Sequence, residues 1–161
     1  MSYRISPVTH GNFLSTETQT YTGSTTDATS NGQPIYFNSS NDLFGVTLSG
    51  TTGIVVSSRG DYMFNVSAIV TQSVTNGVAF EIWFLINGAI VSTSNTRIVN
   101  WNTVAETILA VQLVLHLSKG DVVQLRWYSS SANGVLQATA ATGSVRPASP
   151  SIIVTATKVS E

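Results

Sequence analysis

The sequence contains no cysteine, which excludes disulfide bridges and thiolate ligands for a metal ion. Charged residues are also scarce, at 9% of the chain, whereas a soluble domain usually contains roughly 25%. No apolar run reaches the length of about 18 residues that a transmembrane helix requires. These absences predict a protein without a membrane span that relies on hydroxyl and amide side chains for its solubility.

The few charges are balanced, with seven Lys and Arg against eight Asp and Glu. No cluster of basic residues is present to neutralise a phosphate backbone, so nucleic-acid binding is disfavoured. A surface with little charge loses little hydration when it docks against another subunit, which favours an oligomer. The beginning of the sequence, MSYRISPVTHGNF, lacks the apolar core of a signal peptide, so we expect synthesis in the cytoplasm.

A length of 161 residues suits one domain with a single core. Within residues 1–34, the run TYTGSTTDATSNGQP has almost no aliphatic side chains and cannot bury enough surface to pack by itself. We therefore predict an N-terminal arm or loop over residues 1–34 that could anchor the protein. From residue 35 the pattern changes to short β-rich segments, which predicts a folded domain over residues 35–161.

Period-two alternation of apolar residues predicts strands at residues 60–71 and 104–118. The segment 79–87 is apolar on both faces and runs into Asn-Gly, a strong hairpin signal. Residues 119–121, Lys-Gly-Asp, predict a turn that pairs the strands on either side as a hairpin. The β-branched segment 151–160 predicts a strand inside a sheet. No helix is indicated, so the expected fold is all-β, a two-sheet antiparallel jelly-roll sandwich.

Three segments carry a resemblance to a known superfamily. They are Gly60–Phe64, which opens a central strand, Phe80–Gly88, and the turn Leu117–Val123. Together they resemble the superfamily of tumour necrosis factor and the globular heads of complement-type proteins, over about residues 35–159. The resemblance implies a homotrimer whose threefold axis is lined by one sheet.

A second resemblance points to a function. The stretch IYFNSSNDLFGVTLSGTTGIVVSSRGDYMFNVSA, together with SNTRI and RPASPSIIVTATKV, is similar to jelly-roll domains of bacteriophage and large-virus structural proteins. It implies a virion protein made in the host cytoplasm, either a capsid-decorating or a head-fibre protein. Its expected partners are its own copies and a major capsid or other virion protein. Residues 15–33 have no counterpart in these relatives. The alternative function is recognition of a host receptor or surface glycan.

Candidate catalytic groups are few. His10 and His116 are the histidines available as the base of a hydrolytic triad, and His116 lies in a hydrophobic strand where an interface role is favoured. A glycan hydrolase would need two carboxylates in one cleft, for which Glu81 and Glu106 form the remaining pair. We therefore predict a protein that is not an enzyme, with no catalytic residue and no cofactor.

No metal site is expected from the sequence. Asn38, Asn41 and Asp42 come nearest to the spacing of a calcium loop, and carbonyl groups with water could complete a weak site. An Asx-rich turn explains the same residues more simply.

Aromatic residues and one arginine are the candidates for binding. Trp101 lies in the polar segment VNWNT and is predicted, with Arg97, to contact a ligand. Residues on predicted strands are assigned instead to the core or to the trimer interface, namely Trp83, Trp127, Tyr128 and His116.

Overall fold

The computed structural model describes residues 7–26, 32–101, 103 and 105–161. These residues form strands and turns, and none of them belongs to a helix that could cross a membrane. The strands are β1 (His10–Ser15), β2 (Gln19–Thr20), β3 (Gln33–Pro34), β4 (Ser39–Phe44), β5 (Val46–Ser49), β6 (Gly53–Val56), β7 (Gly60–Thr71), β8 (Val78–Ile86), β9 (Ala89–Ile90), β10 (Thr96–Asn100), β11 (Thr107–Leu117), β12 (Val122–Ser129), β13 (Val135–Leu136) and β14 (Ile152–Ser160).

The strands pair into two antiparallel sheets, as the all-β jelly-roll prediction requires. The first, which we call the A sheet, has the order β4-β1-β14-β7-β11, and β13 and β2 extend it beside the end of β7. The second, the B sheet, has the order β10-β8-β12-β6-β5, with β3 paired to β12 and β9 to β8. The predicted strand 151–160 is confirmed as β14, which lies between β7 and β1.

The core lies between the sheets and follows from the alternation of side chains. Tyr62, Phe64 and Val66 of β7 point inward and are at most 3% exposed. The ring of Phe64 meets that of Phe84 from the B sheet edge to face, with centroids 5.7 Å apart. Burial of each such aromatic ring contributes about 2–3 kcal/mol, so these contacts hold the two sheets together.

The turns confirm part of the sequence prediction and correct another part. Asn87 and Gly88 have φ of 52° and 82°, which matches the predicted Asn-Gly hairpin from β8 to β9. The predicted pairing across residues 119–121 is wrong, because β11 pairs with β7 in the A sheet and β12 with β8 in the B sheet. The turn passes between the sheets, since the inward apolar faces of both strands must meet the same core.

Asp121 stabilises the turn at residues 118–121, where the chain passes from β11 in the A sheet to β12 in the B sheet. Its Oδ2 accepts a hydrogen bond from the Ser118 amide at 2.8 Å, and its Oδ1 accepts one from Asn87 Nδ2 at 2.8 Å. These hydrogen bonds, the Ser118 amide first, lower the pKa of the Asp121 carboxyl. One carboxylate therefore ties the crossing turn to the neighbouring hairpin.

The prediction of an arm over residues 1–34 does not hold for residues 10–15. These residues form β1, which pairs with β14 on one side and β4 on the other, and Phe13 is fully buried. Tyr21 is also buried, with its ring 5.2 Å from that of Trp127. The sandwich therefore begins before residue 35. The predicted anchoring role of the segment stays a prediction, and residues 1–6 and 27–31 lie outside the described residues.

Candidate functional site

The outward side of the A sheet, which we call the outer A face, exposes large apolar side chains. Alternation in β11 sends Ile108 and Val114 away from the core, and they are 65% and 54% exposed. On β14, Ile153 is 39% exposed on the same face. A group of exposed apolar side chains on one sheet face is typical of a surface that contacts a partner.

A row of hydrogen-bonded amide and hydroxyl side chains crosses the middle of the outer A face. Strand register places Gln112 opposite Asn65, Asn65 opposite Thr155, Thr155 opposite Asn12, and Asn12 opposite Asn41. The side-chain bonds are Gln112 Nε2 to Asn65 Oδ1 at 2.8 Å, Thr155 Oγ1 to Asn12 Oδ1 at 2.9 Å, and Asn12 Nδ2 to Asn41 Oδ1 at 3.2 Å. We call these five residues the polar row.

Apolar positions flank the polar row on both sides. One neighbouring row contains Ala110, Ser67, Ile153 and Leu14, and the other contains Val114, Met63, Thr157 and His10. On β11, β7, β14 and β1 these rows contain no lysine, arginine, aspartate or glutamate. Three side-chain hydrogen bonds within the polar row pair part of its amide and hydroxyl groups, which reduces the number that a partner covering this face would have to pair.

One end of the outer A face carries four interacting side chains, Arg59, Asp61, His116 and Ser160, which we call the Asp61 cluster. His116 Nδ1 lies 2.7 Å from Asp61 Oδ1, and Ser160 Oγ donates to Asp61 Oδ2 at 2.5 Å. Arg59 Nε donates to His116 Nε2 at 3.3 Å. Nδ1 of the imidazole therefore faces the Asp61 carboxylate, while Nε2 is held by Arg59.

The hydrogen bonds from Ser160 and His116 lower the pKa of Asp61, with a smaller contribution from the charge of Arg59. The order of contacts differs from that of a hydrolytic triad, in which the nucleophile bonds to the imidazole. Here the hydroxyl of Ser160 bonds to the carboxylate, and Arg59 occupies the other imidazole nitrogen. The cluster is suited to fixing the position of His116 on the surface.

The other histidine, His10, lies at the opposite border of the same face. Its Nδ1 is 2.5 Å from the carbonyl oxygen of Val8, and its Nε2 is 3.4 Å from Asp42 Oδ1. These contacts raise the pKa of His10, the Val8 carbonyl having the larger effect.

No family model matches the sequence, and no curated protein matches it. Among solved structures, the chain is similar to the globular domain of zebrafish complement 1qA protein. The TM-score is 0.53 at 14% identity, and the match covers 95% of this chain and 98% of that one. The chain has a complement-head fold. At this identity the likeness shows the fold alone, so the predicted superfamily resemblance is confirmed as a fold and the resemblance to virus structural proteins stays a prediction.

Within this complement-head fold, the predicted interface residues separate. Trp127 is fully buried inside the sandwich, so it belongs to the core of one subunit and not to its surface. Trp83 and Tyr128 are 9% and 8% exposed, because Gly32 and Thr25 lie against them on that side of the B sheet. Gly32 lies against the Trp83 ring, and the Tyr128 hydroxyl donates to the carbonyl oxygen of Thr25 at 2.8 Å.

His116 therefore differs from the other three predicted interface residues, since its side chain is 55% exposed. It lies on the outer A face within the Asp61 cluster. The polar row could not be predicted from the sequence, because alternation identifies the outward residues of each strand but not which of them become neighbours.

The two predicted ligand contacts lie at different places along β10. Arg97 is held by Glu81, with Nε 3.4 Å from Oε1, and Asn95 Nδ2 donates to the other oxygen of Glu81 at 2.6 Å. Trp101 follows the end of the strand and is 72% exposed. Four residues of extended chain separate them by about 13 Å, so they do not form one compact site.

The carboxylate pair considered for hydrolysis is not brought into a shared cavity. Both oxygens of Glu81 are engaged with Arg97 and Asn95 on the B sheet. Glu106 lines a cavity beside the ends of β7 and β13 whose described lining contains no second carboxylate. The geometry of paired acids that glycoside hydrolysis needs is therefore not formed by these two residues.

The residues considered for a calcium site have structural roles instead, in hydrogen bonds and in a turn. Asn38 accepts from the Thr16 amide at 2.9 Å and donates to the Thr16 hydroxyl at 2.9 Å, and Asn41 belongs to the polar row. Asp42 has a φ of 52°, a left-handed backbone that aspartate and asparagine tolerate in turns. No group of three or more potential metal ligands occurs among the described residues.

Proposed function

We propose that this chain is a non-enzymatic binding domain that forms a homotrimer through its outer A face. The observation that carries the proposal is the combination of exposed apolar side chains with a polar row whose side chains are partly paired by hydrogen bonds to one another. Burying a valine or isoleucine side chain fully contributes about 1.5–3 kcal/mol, and Ile108 and Val114 retain more than half of their surface for burial.

A second copy is the partner that this face fits best. On β11, β7, β14 and β1 the ionisable side chain in these rows is His10, and the chain has a net charge of −1, so two copies repel each other little. The threefold arrangement is favoured by the superfamily resemblance, which implies one sheet around the axis.

The finer proposal is a structural protein of a virus particle, either a capsid-decorating or a head-fibre protein. The charge-poor, hydroxyl-rich composition and the segments similar to virus structural proteins support it. A virion component should copurify with particles from infected cells through a density gradient. A variant without residues 1–6 keeps β1, so its expected loss from particles would support anchoring by the N-terminal end.

The trimer is tested by light scattering coupled to size-exclusion chromatography. We expect a mass of about 51 kDa, three times the chain mass of 17.1 kDa. Val114→Lys places an ammonium group in each buried face and should shift the mass to that of the monomer. The matched control is Ile90→Lys, since Ile90 is 59% exposed on β9 and should leave the trimer intact. A wild-type monomer at micromolar concentration would overturn the proposal.

A second candidate function is recognition of a receptor or surface glycan. The specific observation in its favour is the exposure of Trp101, at 72% of its surface. An exposed indole ring is a common contact for ligands that have both apolar and polar faces.

A further inference from the structure

Three asparagines among the described residues are directly followed by glycine, namely Asn76, Asn87 and Asn133. In such a pair the glycine nitrogen can attack the side-chain carbonyl carbon of asparagine. A new C–N bond closes a succinimide ring, the bond to the side-chain nitrogen breaks, and that nitrogen leaves as ammonia after solvent water has moved the proton from the glycine amide. Water then opens the ring to aspartate or isoaspartate. The dipeptide is the same at the three positions, so the fold decides which of them reacts.

At Asn87 the side chain is held at both ends. Ring closure requires the asparagine side chain to rotate toward the following nitrogen. Asn87 Nδ2 donates to Asp121 Oδ1 at 2.8 Å, and Asn87 Oδ1 accepts a hydrogen bond from the Val122 amide at 2.9 Å. Both bonds must break before the ring can close, which slows the reaction at this position.

At Asn133 the glycine nitrogen is held instead. The Gly134 amide donates to the carbonyl oxygen of Ser131 at 3.0 Å, and the Gly134 carbonyl oxygen accepts a hydrogen bond from the Tyr21 amide at 3.0 Å. Gly134 is buried against the side chain of Ser129. The attacking nitrogen is therefore fixed in the fold and bonded to an acceptor other than the Asn133 side chain.

Asn76 has neither restraint. It is exposed in the loop between β7 and β8. Within the described part of the chain, neither its side chain nor the Gly77 amide has a hydrogen-bond partner. The ladder between β8 and β10 begins one residue later, where Val78 lies opposite Asn100. The side chain and the nitrogen of this pair are therefore free to approach each other.

Packing against Trp101 favours glycine after Asn76. A Cβ on residue 77 would lie 2.7–2.8 Å from three carbons of the Trp101 indole ring. A larger residue would have to displace the ring, whereas glycine lets the backbone approach it closely. Because of this contact, a change in the backbone at residues 76 and 77 alters the surroundings of Trp101, which is 72% exposed.

We propose that Asn76 deamidates in the folded protein while Asn87 and Asn133 remain intact. The product carries a carboxylate in place of a neutral amide, and isoaspartate also adds one carbon to the backbone before Gly77. The surface beside Trp101 thereby gains a negative charge as the protein ages. Neither the trimer nor glycan recognition is needed for this reaction.

The experiment follows the three positions in one sample of the folded full chain, kept at neutral pH and physiological temperature and drawn at intervals. A protease that cleaves after glutamate separates the three pairs, because Glu81 and Glu106 lie between them in the sequence. Tandem mass spectrometry then measures the conversion of amide to acid at each position. We expect conversion at Asn76 at least about tenfold faster than at the other two, which corresponds to about 1.4 kcal/mol in activation free energy. Conversion at Asn87 or Asn133 as fast as at Asn76 would overturn the proposal.

A synthetic peptide with the sequence of residues 73–79, SVTNGVA, is the reference for an unrestrained pair. We expect Asn76 in the folded protein to convert on the same timescale as the asparagine of this peptide. An intact Asn76 at a time when the peptide has fully converted would show that the fold protects this position too, and the proposal would be wrong.

Two variants test the structural explanation. Asp121→Ala removes the acceptor of the Asn87 side chain, so conversion at Asn87 should become faster while conversion at Asn76 keeps its rate. Asn76→Ser cannot form the ring and is the matched control for the effect on Trp101. On ageing, the NMR signal of the Trp101 indole N–H, assigned with Trp101→Phe, should shift in the wild type and stay in place in Asn76→Ser. An unchanged rate at Asn87 in Asp121→Ala, or the same shift in both aged proteins, would contradict the proposal.

Discussion

Replacing Gln112 by alanine tests whether the outer A face is buried in an assembly. The substitution removes the donor that bonds to Asn65 Oδ1 at 2.8 Å, at the β11 end of the polar row. On a face open to solvent, water takes the place of the lost amide, and the free energy of unfolding changes by less than about 0.5 kcal/mol. On a face buried by other subunits, Asn65 Oδ1 is left without a donor.

The magnitude follows from the cost of an unpaired buried polar group, which is about 1–3 kcal/mol. A trimer contains the row three times, so assembly should weaken by about 3–9 kcal/mol in total. Each 1.4 kcal/mol is a factor of about ten in an equilibrium constant. The protein concentration below which the trimer dissociates should therefore rise by orders of magnitude.

The assay is sedimentation velocity over a dilution series, with chemical unfolding of the monomer as a second measurement. The matched control is Gln124→Ala, because Gln124 Nε2 also bonds a side chain, Thr52 Oγ1 at 3.3 Å, but belongs to β12 of the B sheet. We expect Gln112→Ala to weaken the trimer and the control to leave it unchanged. Equal dissociation of both variants and the wild type would refute burial of the polar row.

Two further predictions concern the stability of one subunit. Trp127→Ala should lower the free energy of unfolding by about 3–5 kcal/mol, because the ring is fully buried, whereas Trp101→Ala should change it by less than about 0.5 kcal/mol; urea unfolding measures both. Asp61 has a lowered pKa when folded, so its contribution to stability is complete above the ordinary value of 3.8 and is lost as the pH falls through the folded pKa. Asp61→Asn should therefore reduce the acid dependence of the unfolding midpoint below pH 3.8, and an unchanged dependence would contradict the Asp61 cluster.

The strands with strict alternation could be predicted from the sequence. Residues 60–71 show it, and the predicted strand at 104–118 is observed as Thr107–Leu117. The strand at residues 10–15 was missed because HGNFLS contains Gly11 and Asn12, which are uncommon in strands, and few apolar residues to set a period. Its position depends on pairing with β14, which lies at the other end of the sequence.

The candidate site depends on register, which local patterns do not contain. Asn65 and Gln112 are 47 positions apart and become neighbours only through the pairing of β7 with β11. Local sequence patterns also do not show whether an aromatic residue on a strand faces the core or the outer side of its sheet. Trp127 and Tyr128 are adjacent in the sequence, yet one lies in the core and the other is held on the opposite side of the B sheet by a hydrogen bond to Thr25. The exposure of Trp101, in contrast, could be expected from its polar neighbours.

The position of β14 has a consequence for synthesis on the ribosome. This strand joins β7 to β1, so the A sheet lacks its central connection until β14, the last strand of the domain, has emerged. All five strands of the main path of the B sheet, β5, β6, β8, β10 and β12, emerge earlier. Until β14 emerges, β1 and β7 each have an unpaired edge that could pair with another nascent chain. Slow folding and early contacts between neighbouring chains on one messenger RNA are therefore expected of this topology.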